Sequence, residues 1–125
     1  MTDGIPKIIA EHIRAINAFD TDAIVATFAA DAYVNDNRRE MVGIDAIRRW
    51  VAKELVDDRV TMQVHEVVDH YGETIVRAVY DGTYDKTNLP PVLILTNYFR
   101  LHAGKIASLL IVFNQPSPYS EGATR

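Results

Sequence analysis

Val92-Leu93-Ile94-Leu95-Thr96-Asn97-Tyr98-Phe99-Arg100-Leu101-His102-Ala103-Gly104-Lys105-Ile106-Ala107-Ser108-Leu109-Leu110-Ile111-Val112-Phe113 is the stretch that decides the fold. It holds two runs rich in β-branched and aromatic residues, joined by a short turn around Gly104. That pattern reads as two antiparallel strands, Val92 to Leu101 and Ile106 to Phe113. Both runs are apolar on both faces. One face can pack against helices. The other needs a cover, and a second copy of the chain is the simplest one.

Upstream, the same period continues. Val60, Met62 and Val64 alternate with Thr61, Gln63 and His65, and Thr74 to Tyr84 forms another run after a Tyr71-Gly72 turn. Pro90 and Pro91 open the next run at its edge, where a lost N–H is tolerated. Before Asp57 the period is helical. Ile5, Ile9, Ile13 and Ile16 predict a helix from about Pro6 to Ala18, with Thr2 or Asp3 as its cap. Asp20 or Thr21 can cap a second helix over Asp22 to Ala29, with Ile24, Val25 and Phe28 on its apolar face. Ala32 to Asp36 reads as a short strand and Asn35 to Met41 as a polar loop ending at Gly43. Ile44, Ile47, Val51 and Leu55 then mark a third helix, with Trp50 beside the stripe. Helices gathered before a run of consecutive strands predict an α+β fold, its helices on one face of an antiparallel sheet. One domain is expected over residues 1–114, followed by a loose tail over 115–125.

Composition narrows the function. The 125 residues carry 13 basic and 17 acidic side chains, a formal net charge of −4. With no basic stripe, nucleic acid and anionic membranes are not expected partners. The absence of cysteine excludes disulfides, thiol nucleophiles and Cys-ligated metals. The four histidines show no metal-ligand spacing, and the glycines form no phosphate-binding loop. No cofactor is expected. The start of the chain lacks the pattern of a signal peptide and the apolar runs are too short to span a bilayer, which predicts a cytoplasmic protein.

Three polar residues sit where apolar ones belong. Asp36 is in phase with Ala32 and Val34. It either faces the core, where desolvation suits a general base, or begins a solvated loop; phase alone favours the loop. Asn97 is in phase with Leu93, Leu95, Phe99 and Leu101, so its amide must meet a backbone group, water or a ligand. His12 lies within a turn of Ile8, Ile9 and Ile16, where a lone histidine is more often a packed residue than a catalyst.

Ala15-Ile16-Asn17-Ala18-Phe19-Asp20-Thr21-Asp22-Ala23-Ile24-Val25-Ala26-Thr27-Phe28-Ala29-Ala30-Asp31-Ala32 resembles the opening of the nuclear transport factor 2-like superfamily. The nearest likeness is to ketosteroid isomerases and SnoaL-like polyketide cyclases. It continues in Gly43-Ile44-Asp45-Ala46-Ile47-Arg48-Arg49-Trp50, in Asn97-Tyr98-Phe99-Arg100-Leu101 and in Gly104-Lys105-Ile106, missing only the tail and the 85–91 loop. The resemblance implies a cone, a cystatin-like α+β roll in which a curved antiparallel sheet wraps over three helices. It also implies an internal pocket and a homodimer through the sheet. The proton-shuttling Asp of the isomerases falls on Asp36, and their two oxyanion donors fall on His12 and Asn97. Asn37 stands where the isomerases have proline.

The residues out of place by phase are therefore the ones the resemblance assigns to a site. The expectation is that Asp36, Asn97 and His12 converge on one hollow lined by Phe28, Val34, Trp50, Leu95 and Phe99. There Asp36 would move a proton on a small apolar carbonyl compound, in an isomerisation, cyclisation or dehydration. The rival expectation is a binding module for a hydrophobic metabolite, signalled by an Asp36 locked in a salt bridge with Arg38 or Arg39. Epoxide-hydrolase chemistry would need an arginine between two pocket carboxylates. Arg77, Arg100 and Asp81 are available in the strands, but Arg100 is out of phase with Asn97.

Overall fold

The computed structural model describes residues 4–113. The Thr2 or Asp3 cap and the 115–125 tail lie outside the described residues. The elements run α1 (Lys7–Asn17), α2 (Thr21–Val25), β1 (Phe28–Asp36), β2 (Arg39–Val42), α3 (Ile44–Trp50), β3 (Thr61–His70), β4 (Glu73–Asp81), β5 (Leu93–His102) and β6 (Lys105–Phe113). A π-helical segment, Val51–Val56, continues α3. The result is an α+β fold of three helices and one curved, unclosed six-stranded sheet in the order β2-β1-β6-β5-β4-β3. Neighbours are antiparallel except β1 and β6, which run parallel.

The apolar stripe of α1 buries Ile9, Ile13 and Ile16 inside the curve. Asn17, at its end, pins it to β3 by exchanging two bonds with the Met62 backbone, at 3.0 and 2.7 Å. Asp20 caps α2 by accepting from the Ala23 N–H at 3.1 Å. The second helix is shorter than its pattern predicts. The Thr27 hydroxyl donates to the Ile24 carbonyl at 2.6 Å, and the Thr27 carbonyl accepts from the Ile106 N–H of β6 at 2.9 Å. Pairing with β6 thus begins at Phe28, which belongs to β1 and not to the helix.

The Asn35–Met41 stretch is not a loop. It is a hairpin, with Asp36 paired to Arg39 across a turn at Asn37-Arg38. Both turn residues have positive φ, 53° and 79°. The other two-residue turns, Tyr71-Gly72 and Ala103-Gly104, share that feature but place glycine second, where it is sterically free. Arg38 takes the glycine's place, so the sequence shows no turn signal there. Register shifts between Val64 and Glu66 and between Arg100 and Leu101 interrupt the ladders, and such irregularities bend a sheet.

Candidate functional site

The tight β1–β2 turn sets a guanidinium onto a carboxylate. Arg39 Nη2 donates to Asp36 Oδ2 at 2.7 Å. The same guanidinium grips Glu54 of the π-helical segment with both amino groups, Nη1 to Oε2 at 2.7 Å and Nη2 to Oε1 at 2.6 Å. Such fork-to-fork pairing is the strongest geometry open to these groups. A π-turn in this place also matches where such turns concentrate, at functional sites. The bonds to Glu54, then the fields of Asp36 and Glu54, hold Arg39 charged above its ordinary value against the opposing effect of partial burial.

Trp50, the last residue of α3 and almost fully buried, donates Nε1–H to the same Asp36 Oδ2 at 3.1 Å. Asp36 is thus fixed through one oxygen from two sides. Its side chain is 21% exposed, and no bond among the described residues engages Oδ1.

These groups stand at one end of a cavity of about 330 Å³. Leu93 and Leu95 of β5 with Ile111 and Phe113 of β6 make its apolar floor. Trp50, Leu55, Tyr80 and Tyr84 make its walls, and Asp36, Arg39, Glu54 and Asp58 its polar edge. The β4–β5 connection is clamped over this end, because the Asp58 carbonyl accepts from the Thr83 N–H at 2.7 Å and from its hydroxyl at 3.0 Å. Gly82 permits the clamp: a Cβ there would lie 2.8 Å from both the Asp58 carbonyl oxygen and the Tyr84 ring.

The Tyr80 hydroxyl donates to Asn97 Oδ1 at 2.9 Å, and Asn97 Nδ2 donates to the Val76 carbonyl at 3.2 Å. Burial pushes the Tyr80 phenol well above its ordinary range; its bond to Asn97 works the other way, and the negative field of Asp36 adds to the rise.

The three residues expected to converge do not share this cavity. Asp36, Trp50 and Leu95 line it; Asn97, His12, Phe28, Val34 and Phe99 do not. Asp36 and Asn97 both pair with Ile111, from opposite sides of β6. They therefore stand two strand spacings apart, ~9–10 Å, with the Ile111 row between them. The two residues stand in one cross-strand row, and the hollow reaches Asp36 but not Asn97.

Deeper, the concave face meets the helical layer. Val34 and Phe99 are fully buried there. His12, 1% exposed, meets the rings of Phe28 and Phe99 edge-on, with centroids 5.3 and 5.5 Å away. Its Nδ1 is 3.0 Å from Thr27 Oγ1. The Thr27 proton is already given to Ile24, so the imidazole must donate there. Burial lowers the His12 pKa to about 4, which leaves the ring neutral. His12 is a satisfied core residue, and Asn97 reaches the cavity only through Tyr80.

The sequence reading named Arg39 only as a salt-bridge partner of Asp36 and did not single out Glu54. Arg77 and Arg100 sit elsewhere, paired with Glu66 at 3.1 Å and Glu73 at 3.8 Å, and Asp81 pairs with Lys86 at 2.9 Å. The arginine between two cavity carboxylates is Arg39. Glu54 directly precedes Leu55 of the third helix's Ile47, Val51, Leu55 stripe, and in the π-helical segment it meets Arg39 of the hairpin. Among the described residues no cluster of three or more His, Asp or Glu could hold a metal, and no helix is long and apolar enough to cross a membrane.

The SnoaL-like domain model matches residues 9–109, which contain every side chain of this site except Phe113 and Ile111. The chain belongs to the SnoaL-like domain family. Solved structures of similar fold agree. A candidate polyketide cyclase from Sinorhizobium meliloti is 29% identical over 89% of this chain and 98% of its own, with a TM-score of 0.79. SalBIII, an epoxide hydrolase/cyclase-like enzyme of pyran ring formation in the polyether salinomycin, is 24% identical over 92% and 95%, with a TM-score of 0.77. A hypothetical protein with a ketosteroid isomerase-like fold from Catenulispora acidiphila, in complex with trimethylamine, is 20% identical over 87% and 86%, with a TM-score of 0.72. The last two likenesses establish the SnoaL-like fold and nothing finer.

Proposed function

We propose that this SnoaL-like protein is a small-molecule enzyme in which Asp36 exchanges a proton with an apolar substrate held in the cavity. The observation that carries this is the asymmetry of Asp36. Trp50 and Arg39 hold Oδ2, while Oδ1 is left for a proton. A positioned carboxylate of this kind contributes ~10²–10⁴ in rate. Negative charge left on a substrate oxygen would meet Arg39, which has committed three of its five N–H groups. That donor replaces the ones expected from His12 and Asn97. Isomerisation, cyclisation and dehydration all fit, and the name of the Sinorhizobium relative directs the search to apolar hydroxy ketones of polyketide type.

The test is turnover of a panel of such compounds, followed by mass spectrometry. Asp36→Asn keeps the shape and the Trp50 bond. It should lower turnover by at least ~10²-fold while leaving the unfolding midpoint nearly unchanged. Full activity in that variant would remove Asp36 from the chemistry.

A second reading has its own observation: the Asp36–Arg39 salt bridge is the feature expected of a site that binds and does not turn over. Under it the same panel gives saturable binding, no product with the wild type, and no special effect of Asp36→Asn.

The outward face of the sheet supports assembly. Leu110 and Val112 on β6 are 37% and 45% exposed, and a second copy of the chain is proposed to cover them. Sedimentation should show a dimer that Val112→Lys dissociates; a monomeric wild type at micromolar concentration would refute it.

A further inference from the structure

We infer that the substrate presents a hydrogen-bond donor, an ammonium or a hydroxyl, to the Asp36 and Tyr80 side of the cavity. Asp36 Oδ1 and the Tyr80 oxygen only accept, so a substrate carbonyl would have to turn to the two N–H groups that Arg39 has left. The inference rests on the cavity being the substrate site, and not on which reaction occurs there.

The donor protons of Trp50, Tyr80 and Asn97 are already committed. The Trp50 indole N–H goes to Asp36 Oδ2. The Tyr80 hydroxyl proton goes to Asn97 Oδ1, and the Asn97 amide that could have exchanged roles with it donates to the Val76 carbonyl. Asn97 therefore acts as a positioning residue. Its Oδ1 fixes the direction of the phenol proton, away from any ligand. What Tyr80 still offers is its oxygen lone pairs, and what Asp36 still offers is Oδ1; both accept.

Charge points the same way. Among the described residues the cavity edge carries Asp36, Glu54 and Asp58 against Arg39 as its one cationic side chain, and Arg39 is already shared by two of the three. An acceptor-only ligand would face unmatched carboxylate oxygens, and a buried polar pair without a proton between it is costly.

The experiment is a binding series on the full chain, read by the fluorescence of Trp50. It is the chain's single tryptophan and lines the cavity, so the signal is local. Four probes share a phenyl body: 2-phenylethylamine, 2-phenylethanol, 1-phenylpropan-2-one and 3-phenylpropanoate. At pH 7 the amine should bind at least ~10-fold more tightly than the carboxylate, and the alcohol several-fold more tightly than the ketone.

Tyr80→Phe should erase the alcohol-over-ketone preference and spare the amine-over-carboxylate one. Asn97→Leu frees the phenol proton and should raise ketone affinity relative to alcohol. A purely structural role for either residue would weaken all probes alike. Equal affinity for alcohol and ketone in the wild type, a preference for the carboxylate, or no Trp50 response to the amine at ~10 mM each overturns the inference. None of these outcomes depends on turnover, so the role of Asp36 in catalysis stands or falls separately.

Discussion

Along the concave side of β5, Leu93 and Leu95 face an open cavity, while Phe99 closes against the His12 ring. The two ends of this face hold polar groups in opposite ways. At the closed end His12 and Thr27 satisfy each other and the Ile24 carbonyl, with apolar rings on both sides. At the open end Asp36 and Glu54 also bond to Arg39, but partly exposed and with capacity left over. A buried polar side chain is thus no evidence of a site by itself. What separates the two ends is the remainder after internal hydrogen bonds are counted: nothing is visibly left over at Thr27, and Oδ1 is left over at Asp36.

The largest expected effect that sharpens this contrast is a pH effect at the closed end. An imidazole buried neutral, with its pKa lowered to about 4 against an unfolded value of 6.5, takes its proton first in the unfolded chain. Its contribution to stability is complete above pH 6.5 and is lost as pH falls toward 4. The 2.5-unit gap corresponds to about 3 kcal/mol. Carboxylates titrate in the lower part of the same window, so the measurement is a difference. Denaturant unfolding of the wild type and of His12→Leu between pH 7 and 4 should show a steeper loss for the wild type. Parallel curves would mean that His12 is protonated in the fold, and the closed end would then hold an ionised group like the open one.

The sequence made some of this legible and hid the rest for physical reasons. Period two in β3 to β6 and period 3.6 in α1 and α3 located the sheet and its helical layer, because those periods follow directly from which side is buried. Phase also placed Asn97 on an apolar strand face, but for Asp36 it left the core and a solvated loop open and favoured the loop. It could not place the hollow. Whether a concave row is empty or filled depends on the size of side chains arriving from other elements, here Phe28, Phe99 and the α1 isoleucines. Nor could it reveal that Arg39, expected only as a salt-bridge partner of Asp36, also grips Glu54. Their meeting depends on a hairpin without a glycine and on a π-turn, and neither changes the hydrophobic period enough to be read.

That hairpin gives the smallest effect and the finest test of the open end. Arg38 holds φ at 79°, a conformation that a side chain with a Cβ adopts at a cost of about 1–2 kcal/mol and that glycine adopts freely. Glycine also gains entropy in the unfolded chain, so Arg38→Gly should raise stability by only about 0.5–1 kcal/mol. Its use lies in what accompanies that gain. The Arg38 side chain forms no bond among the described residues, whereas its backbone N–H is held by Asn35 Oδ1 at 2.8 Å. If the turn serves only to set Arg39 on Asp36, relieving its strain should leave turnover and probe affinity unchanged. A variant that is more stable yet binds the amine probe more weakly would mean that the strained turn itself shapes the mouth of the cavity, through Asn37 on its lining. The open end would then be held in place by backbone strain as well as by hydrogen bonds, a dependence for which the closed end offers no counterpart in its side-chain contacts.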